Sequence, residues 1–281
     1  SLTGQVFGLV LIMTISCVSA FTGIRKGIKW LSNINMGLSL LLLLFFVFFG
    51  ATLFALKNFL VTIWDYVISF PEMAISVWKN DGTEVSLNLQ KWQSAWSIFY
   101  WAWWIAFAPF VGLFLARVSR GRTIREYIMG AIFIPSLISL FWFSFVGGTA
   151  IDLELSGVAQ GAIVNADISA QLFQTINLFM NPTMAVLLSV LVVILLITFL
   201  VTSADSGILV MNTLASGGNT KKRELKHIIL WGLLFSVMIA VLLMAGGMDS
   251  LRSVMIVGAL PFSLILALMP VALVKTILQN R

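Results

Sequence analysis

Charge is scarce in this chain. Asp, Glu, Lys and Arg make up 10% of its 281 residues, where a soluble domain carries about a quarter. Thiols and imidazoles are scarcer still. Cys17 is the one cysteine, so no internal disulfide is available and the redox compartment cannot be read from it. His227 is the one histidine. It sits in a basic loop with no partner His or Cys cluster, which makes it a solvated loop residue rather than a metal ligand. The sequence has no metal-ligand set, no Ser/His/Asp arrangement and no phosphate-binding glycine loop. These absences disfavour an integral-membrane enzyme, and no catalytic residue is expected. Low-complexity tracts and short repeats are also missing. Apolar residues fill the space: they form 60% of the chain, and the mean hydropathy is +1.03. That composition excludes a soluble globular domain and indicates an all-α polytopic membrane protein, whose length is counted in spans.

A helix crosses the hydrocarbon in about 20 apolar residues. Seven segments qualify: 5–24, 36–56, 94–116, 127–147, 183–211, 228–245 and 254–274. All belong to one transmembrane domain over 1–281. Two outer connections are long. Residues 58–70, with Phe59, Leu60, Ile63, Trp64, Val67, Ile68 and Phe70 at helical intervals, read as an amphipathic helix on the outer surface. Asp65 and Glu72 argue against its crossing, and Pro71 is expected to end it. A second amphipathic piece covers 168–180, and Pro182 stands at the entry of the fifth span, where proline is tolerated.

Thirteen of the 17 basic residues fall on one side of this arrangement. They are Arg25, Lys26 and Lys29; Arg117, Arg120, Arg122 and Arg125; Lys221, Lys222, Arg223 and Lys226; and Lys275 and Arg281. The other side holds Lys57, Lys79, Lys91 and Arg252 with eight acids. The positive-inside rule makes the basic side cytoplasmic, with the C-terminus inside. The net charge of +6 therefore reflects cytoplasmic loops, and no nucleic-acid partner is expected. The chain opens on Ser, without a basic leader, and enters an apolar segment at once. It is expected to be the C-terminal part of a longer protein.

Two stretches can carry chemistry. The first is FYWAWW at 99–104. Trp103 and Phe107 stand four apart and Trp104 and Phe107 three apart, so their side chains adjoin on one helix face. Phe110 continues this face, and Tyr100 lies one turn earlier. Aromatic faces attract cations without hydrogen-bond donors, quaternary ammonium groups above all. The competing reading is packing or an interfacial belt, to which Trp92 and Trp96 belong. Pro109 removes a backbone bond to Ile105 beside the cluster. The second stretch is FLVTSADSG at 199–207. Phe199, Thr202 and Ser203 share a face, extended by Ser206. Two hydroxyls there with backbone carbonyls of another helix suit a hard monovalent cation. The alternative is that the hydroxyls bond back within their own helix. Asp205 is either an intramembrane functional acid or a wet residue at the cytoplasmic end. Between spans three and four, Gly121 permits a tight turn, and Thr123 and Glu126 have capping-box spacing. An ordered gating loop bearing Arg117, Arg120, Arg122 and Arg125 is expected. Gly147-Gly148-Thr149 and Gly246-Gly247 read as helix C-caps and packing points.

FYWAWW followed by PFVGLFLARVSRGRTIRE at 109–126 resembles the signature of the betaine/carnitine/choline transporter family. GIRKGIKWLSNINM at 23–36, GGTA at 147–150 and TSADS at 202–206 match in order, so the resemblance covers essentially the whole chain. It implies a twelve-helix LeuT-like inverted-repeat core, of which this chain would supply the last seven helices. It implies that Trp103, Trp104 and Phe107 line an aromatic substrate box, with Tyr100 beside it and Phe110 flanking a second cation region. The third box position is usually Trp; Phe107 keeps a smaller π face and leaves the substrate within the class open. The resemblance places Na⁺ at Thr202 and Ser203 with Phe199, although proton-coupled choline carriers look similar here. It implies no cofactor, import of a solute such as choline or glycine betaine for osmoprotection, a lipid-embedded homotrimer, and the plasma (inner) membrane. The 58–70 helix is the expected trimer contact. The rival readings are a carrier of an amino acid or taurine-like solute, and a non-transporting membrane sensor.

Overall fold

The computed structural model describes residues 2–22, 29–217 and 225–279. Every regular element among the described residues is helical. In a medium without water, a helix satisfies its own backbone hydrogen bonds, and apolar side chains then face lipid without penalty. The helices are α1 (Leu2–Thr22), α2 (Lys29–Phe49), α3 (Thr52–Ile75), α4 (Glu84–Val118), α5 (Ile124–Leu155), α6 (Gln171–Phe179), α7 (Pro182–Ala215) and α8 (Leu225–Gln279). Seven segments among the described residues are long and apolar enough to cross a membrane: Thr3–Phe21, Lys29–Phe49, Thr52–Ile75, Ile124–Leu155, Pro182–Ala215, Leu225–Gly247 and Asp249–Gln279. The chain is an all-α polytopic membrane protein.

Several boundaries differ from those read in the sequence, each for a local reason. The second helix was expected over 36–56; it runs over Lys29–Phe49 and breaks at Gly50, with a new helix from Thr52. A side chain at Gly50 would collide with the Thr149 hydroxyl, so the break sits where α5 approaches closely. Pro71 lies inside α3 rather than ending it, since a single proline removes only one N–H and helices can absorb the loss as a bend. Gly147 and Gly148 cap nothing. α5 passes through them in a π-helical turn over Phe143–Gly147 and ends at Leu155. Their packing role holds at Gly148, which is buried and where an added side-chain carbon would lie 3.7 Å from the Ala55 Cα. The amphipathic piece at 168–180 is the helix Gln171–Phe179. The sixth and seventh segments form the single helix α8, kinked at Gly246 and Gly247. Gly247 adopts φ 61°, ψ −135°, a conformation essentially confined to glycine.

The chain forms two compact units. One comprises Ser1–Cys17, Ile75–Gly121 and Ser206–Arg281. Within it α4 packs along α8, and α1 meets α8 so closely that a side chain at Gly232 would strike the Cys17 sulfur. The other comprises Val18–Ala74 and Arg122–Asp205. Its core joins Leu42 and Phe46 of α2, Ile176 of α6, and Ala185, Leu188 and Val192 of α7. A neighbouring cluster ties Leu43, Ala55 and Phe145 together. From the last turn of α5, Glu154 accepts hydrogen bonds from the amides of Gly161, Ile163 and Val164 in the connection that follows, each at 2.9 Å. One carboxylate thereby organises a turn-rich loop.

Candidate functional site

α4 begins at a built N-cap. Thr83 accepts from the Ser86 amide at 3.2 Å, and the preceding segment is pinned back by Gln93. Gln93 donates to the Ser76 carbonyl at 2.7 Å and accepts from the Trp78 amide at 2.8 Å. Asp81, outside the membrane segments, accepts from the Thr83 amide and hydroxyl at 3.0 and 2.7 Å. The Ser86 hydroxyl first, and then Thr83, hold its carboxyl down at about 2. The helix then runs for 35 residues, long enough to cross the hydrocarbon and project beyond it.

On this helix the aromatics form a continuous series. Trp96 stacks on Tyr100 with centroids 5.6 Å apart. Tyr100 lies 6.1 Å from Trp103, and Trp103 lies 6.5 Å from Trp104 with planes 30° apart. Phe99 leans on Trp103 at 6.0 Å, and the Arg252 guanidinium of α8 sits 5.2 Å over the Phe99 ring. The spacing thus brings Tyr100, Trp103 and Trp104 together. They keep large exposed surfaces, as does Phe107: Trp104 is 63% and Phe107 50% exposed. The side chains of Phe110 and Arg117 lie outside the described ones. An open cavity of about 470 Å³, lined by Trp92, Trp96, Ser97, Tyr100 and Trp101, lies one to two turns before the expected box. Tyr100 alone is common to both.

On α7, the hydroxyls of Thr202 and Ser203 both donate to the Phe199 carbonyl, at 2.9 and 3.0 Å. The alternative named for the sequence, bonding back within the helix, is therefore realised. It also gathers three oxygens in one place, since a hydroxyl that donates keeps its acceptor capacity. Asp205 is fully buried, not wet, and accepts from the Ser19 hydroxyl of α1 at 2.5 Å. Among the described residues no cluster of His, Cys, Asp and Glu could hold a metal ion.

In the loop before α5, Gly121 takes φ 85°. Thr123 and Glu126 form a reciprocal capping box: the Thr123 amide donates to Glu126 at 2.8 Å and the Glu126 amide to Thr123 at 3.2 Å. Arg122 reaches Glu126 at 4.0 Å. Arg120, Arg122 and Arg125 are exposed. Arg25, Lys26, Lys221, Lys222 and Arg223 lie outside the described residues.

Sequence reasoning missed two contacts. Asn35 of α2 donates to the Leu195 carbonyl and to Thr198 Oγ1, both at 3.1 Å. Thr149 donates to the Phe145 carbonyl at 2.7 Å and accepts from the Ala51 amide at 3.2 Å. An Asn on a helix of the membrane domain was a legible signal for the first, because an amide there seeks partners on another helix. Nothing local signalled the second.

The sequence matches the profile of BCCT, the betaine/carnitine/choline family transporter, over residues 1–281. It is 39% identical to the ectoine/hydroxyectoine transporter of Virgibacillus pantothenticus, covering 90% of this chain and 48% of that protein. It is 36% identical to the glycine betaine transporter OpuD of Bacillus subtilis, covering 99% and 52%. It is 38% identical to an uncharacterised transporter of Haemophilus influenzae, covering 99% and 40%. The chain spans about half the length of these relatives or less. With the profile matched from end to end, the chain belongs to the betaine/carnitine/choline family of transporters.

Proposed function

We propose that this chain is part of a secondary transporter that imports a quaternary-ammonium solute, choline or glycine betaine, by alternating access about a midplane site. The observation that carries the reading is the aromatic series on α4, in a chain of this family. Trp103, Trp104 and Phe107, with Tyr100 beside them and Phe110 flanking, hold the cationic head by cation–π contacts worth about 2 kcal/mol or more each once water is excluded. Phe199, Thr202 and Ser203 bind the coupling ion, Na⁺ in the first instance and H⁺ as the alternative. The segment from Arg117 at the end of α4, through Arg120 and Arg122 in the loop, to Arg125 at the start of α5 gates inward release. A relative named for ectoine, a zwitterion, favours a second reading in which another zwitterion is carried; the smaller ring at Phe107 is where that preference would be set.

The protein lies in the plasma (inner) membrane with its C-terminus cytoplasmic. α3 qualifies as a span by length and composition, but a crossing α3 followed by a crossing α4 would carry Arg117 to Arg125 outward, against the positive-inside bias. α3 therefore lies on the outer surface and is the contact of a homotrimer. The test is uptake of radiolabelled choline and glycine betaine by cells expressing the full-length protein, with and without Na⁺. Na⁺-dependent uptake supports both sites. Proton-driven uptake keeps the aromatic box and removes the cation cage. Failure of both solutes, with ectoine taken up, selects the second reading.

A further inference from the structure

α7 is gripped by other helices at two levels, one on each side of Phe199, Thr202 and Ser203. Before them, the Asn35 amide of α2 donates to the Leu195 carbonyl and to Thr198 Oγ1, both at 3.1 Å. After them, the Ser19 hydroxyl of α1 donates to the Asp205 carboxylate at 2.5 Å. Asp205 is fully buried and Ser19 is 8% exposed. Thr198 and Asp205 stand about two helical turns apart, and the three oxygen-bearing positions lie between them. Ser19, Asn35, Thr198 and Asp205 all belong to the same compact unit.

A helix tied at one level can still rotate or slide; one tied at two levels cannot. A cation cage of hydroxyl and carbonyl oxygens depends on that fixity, because its ligands must be held by supporting contacts to within a fraction of an ångström. The second grip also brings a carboxyl group alongside the site. Asp205 follows Thr202 by three residues, on the adjoining face, and in a low-dielectric interior a carboxylate raises the local attraction for a cation. A hydroxyl donating to a carboxylate is the stronger, charge-assisted kind of bond. We infer that Asn35, Ser19 and Asp205 are positioning residues of the cation site, fixing the height and rotation of α7 on either side of it. The inference rests on the proposed reading of Phe199, Thr202 and Ser203 as ion ligands.

The test measures glycine betaine uptake by the full-length protein across a Na⁺ titration, normalised to surface protein. Asn35→Ala and Ser19→Ala are each expected to raise the Na⁺ concentration for half-maximal uptake roughly three- to tenfold, the range set by one interhelical hydrogen bond in a membrane. The KM for betaine at saturating Na⁺ stays unchanged, and Ser19→Thr, which keeps the hydroxyl, restores the Na⁺ response. A variant that fails to reach the surface is assayed instead by binding of radioactive Na⁺ to the purified full-length protein, where the same shift is expected. If the Thr202→Ala, Ser203→Ala pair shifts the Na⁺ response while Asn35→Ala and Ser19→Ala leave it unmoved, the ion-site reading stands and this inference is overturned. If the pair itself shifts nothing, the ion-site reading fails and the inference falls with it.

Discussion

At the scale of single residues, burial separates side chains that hold the fold from those free to meet a ligand. Thr149 is buried and both donates and accepts, linking α5 to the amide of Ala51 just past the break in α2. Thr149→Val keeps the shape and removes both functions. It should cost about 1–3 kcal/mol through an orphaned amide, measured as a lower melting temperature of the detergent-solubilised full-length protein. Trp104 is more than half exposed and packs its ring against Trp103. Its removal should therefore spare folding and strike binding: Trp104→Ala should abolish uptake with membrane insertion intact, and unchanged uptake would remove it from the box. The faces were legible in the sequence because helical spacing dictates them; the contact of Tyr100 with Trp103 follows from their three-residue spacing, whereas the stacking of the adjacent Trp103 and Trp104 does not. The partners of Asp205 and Asn35 were not legible. Ser19 stands 186 residues from Asp205 and Thr198 163 from Asn35, and no local pattern encodes such pairs.

At the scale of elements, helix starts carry the plainest signals. α4 and α5 both open on Thr N-caps with side-chain bonds to the first-turn amides, and the capping box at Thr123 and Glu126 stands at the spacing read from the sequence. Helix ends and interruptions were harder. Gly50 breaks α2 while Gly147 and Gly148 pass inside α5, because the outcome is set by what approaches each glycine. The start of α4 has a pH signature. Asp81 titrates at about 2, below its usual 3.8, so its ordering of the α4 N-terminus is fully present above about pH 4. It is lost as pH falls through about 2. Hydrogen-exchange protection of the amides of Thr83 and Ser86 should hold from pH 7 to about 4 and then decline. In Asp81→Asn, protection should be lower throughout and insensitive to pH over that window.

At the scale of the whole molecule, the all-α membrane class followed from composition alone, whereas which helices cross did not follow from length. α3 and α4 are the case in point: hydropathy admits α3, while its own Asp65 and Glu72 and the arginines after α4 oppose it. The orientation has a direct check. Single cysteines at Asn80 and at Lys226 in a Cys17→Ser background should react with a membrane-impermeant thiol reagent from the outside and from the inside, respectively. Labelling of Asn80 from the inside would reverse the placement of α3. The kink of α8 bears on how such a chain is made. Leu225–Gly247 and Asp249–Gln279 are each long and apolar enough to span, yet only Met248 separates them. With no loop to hand across the bilayer, neither half has an independent route into the lipid. The pair should leave the translocation machinery as one hairpin, so that a defect at Gly247 would appear first as a failure of biogenesis rather than of transport.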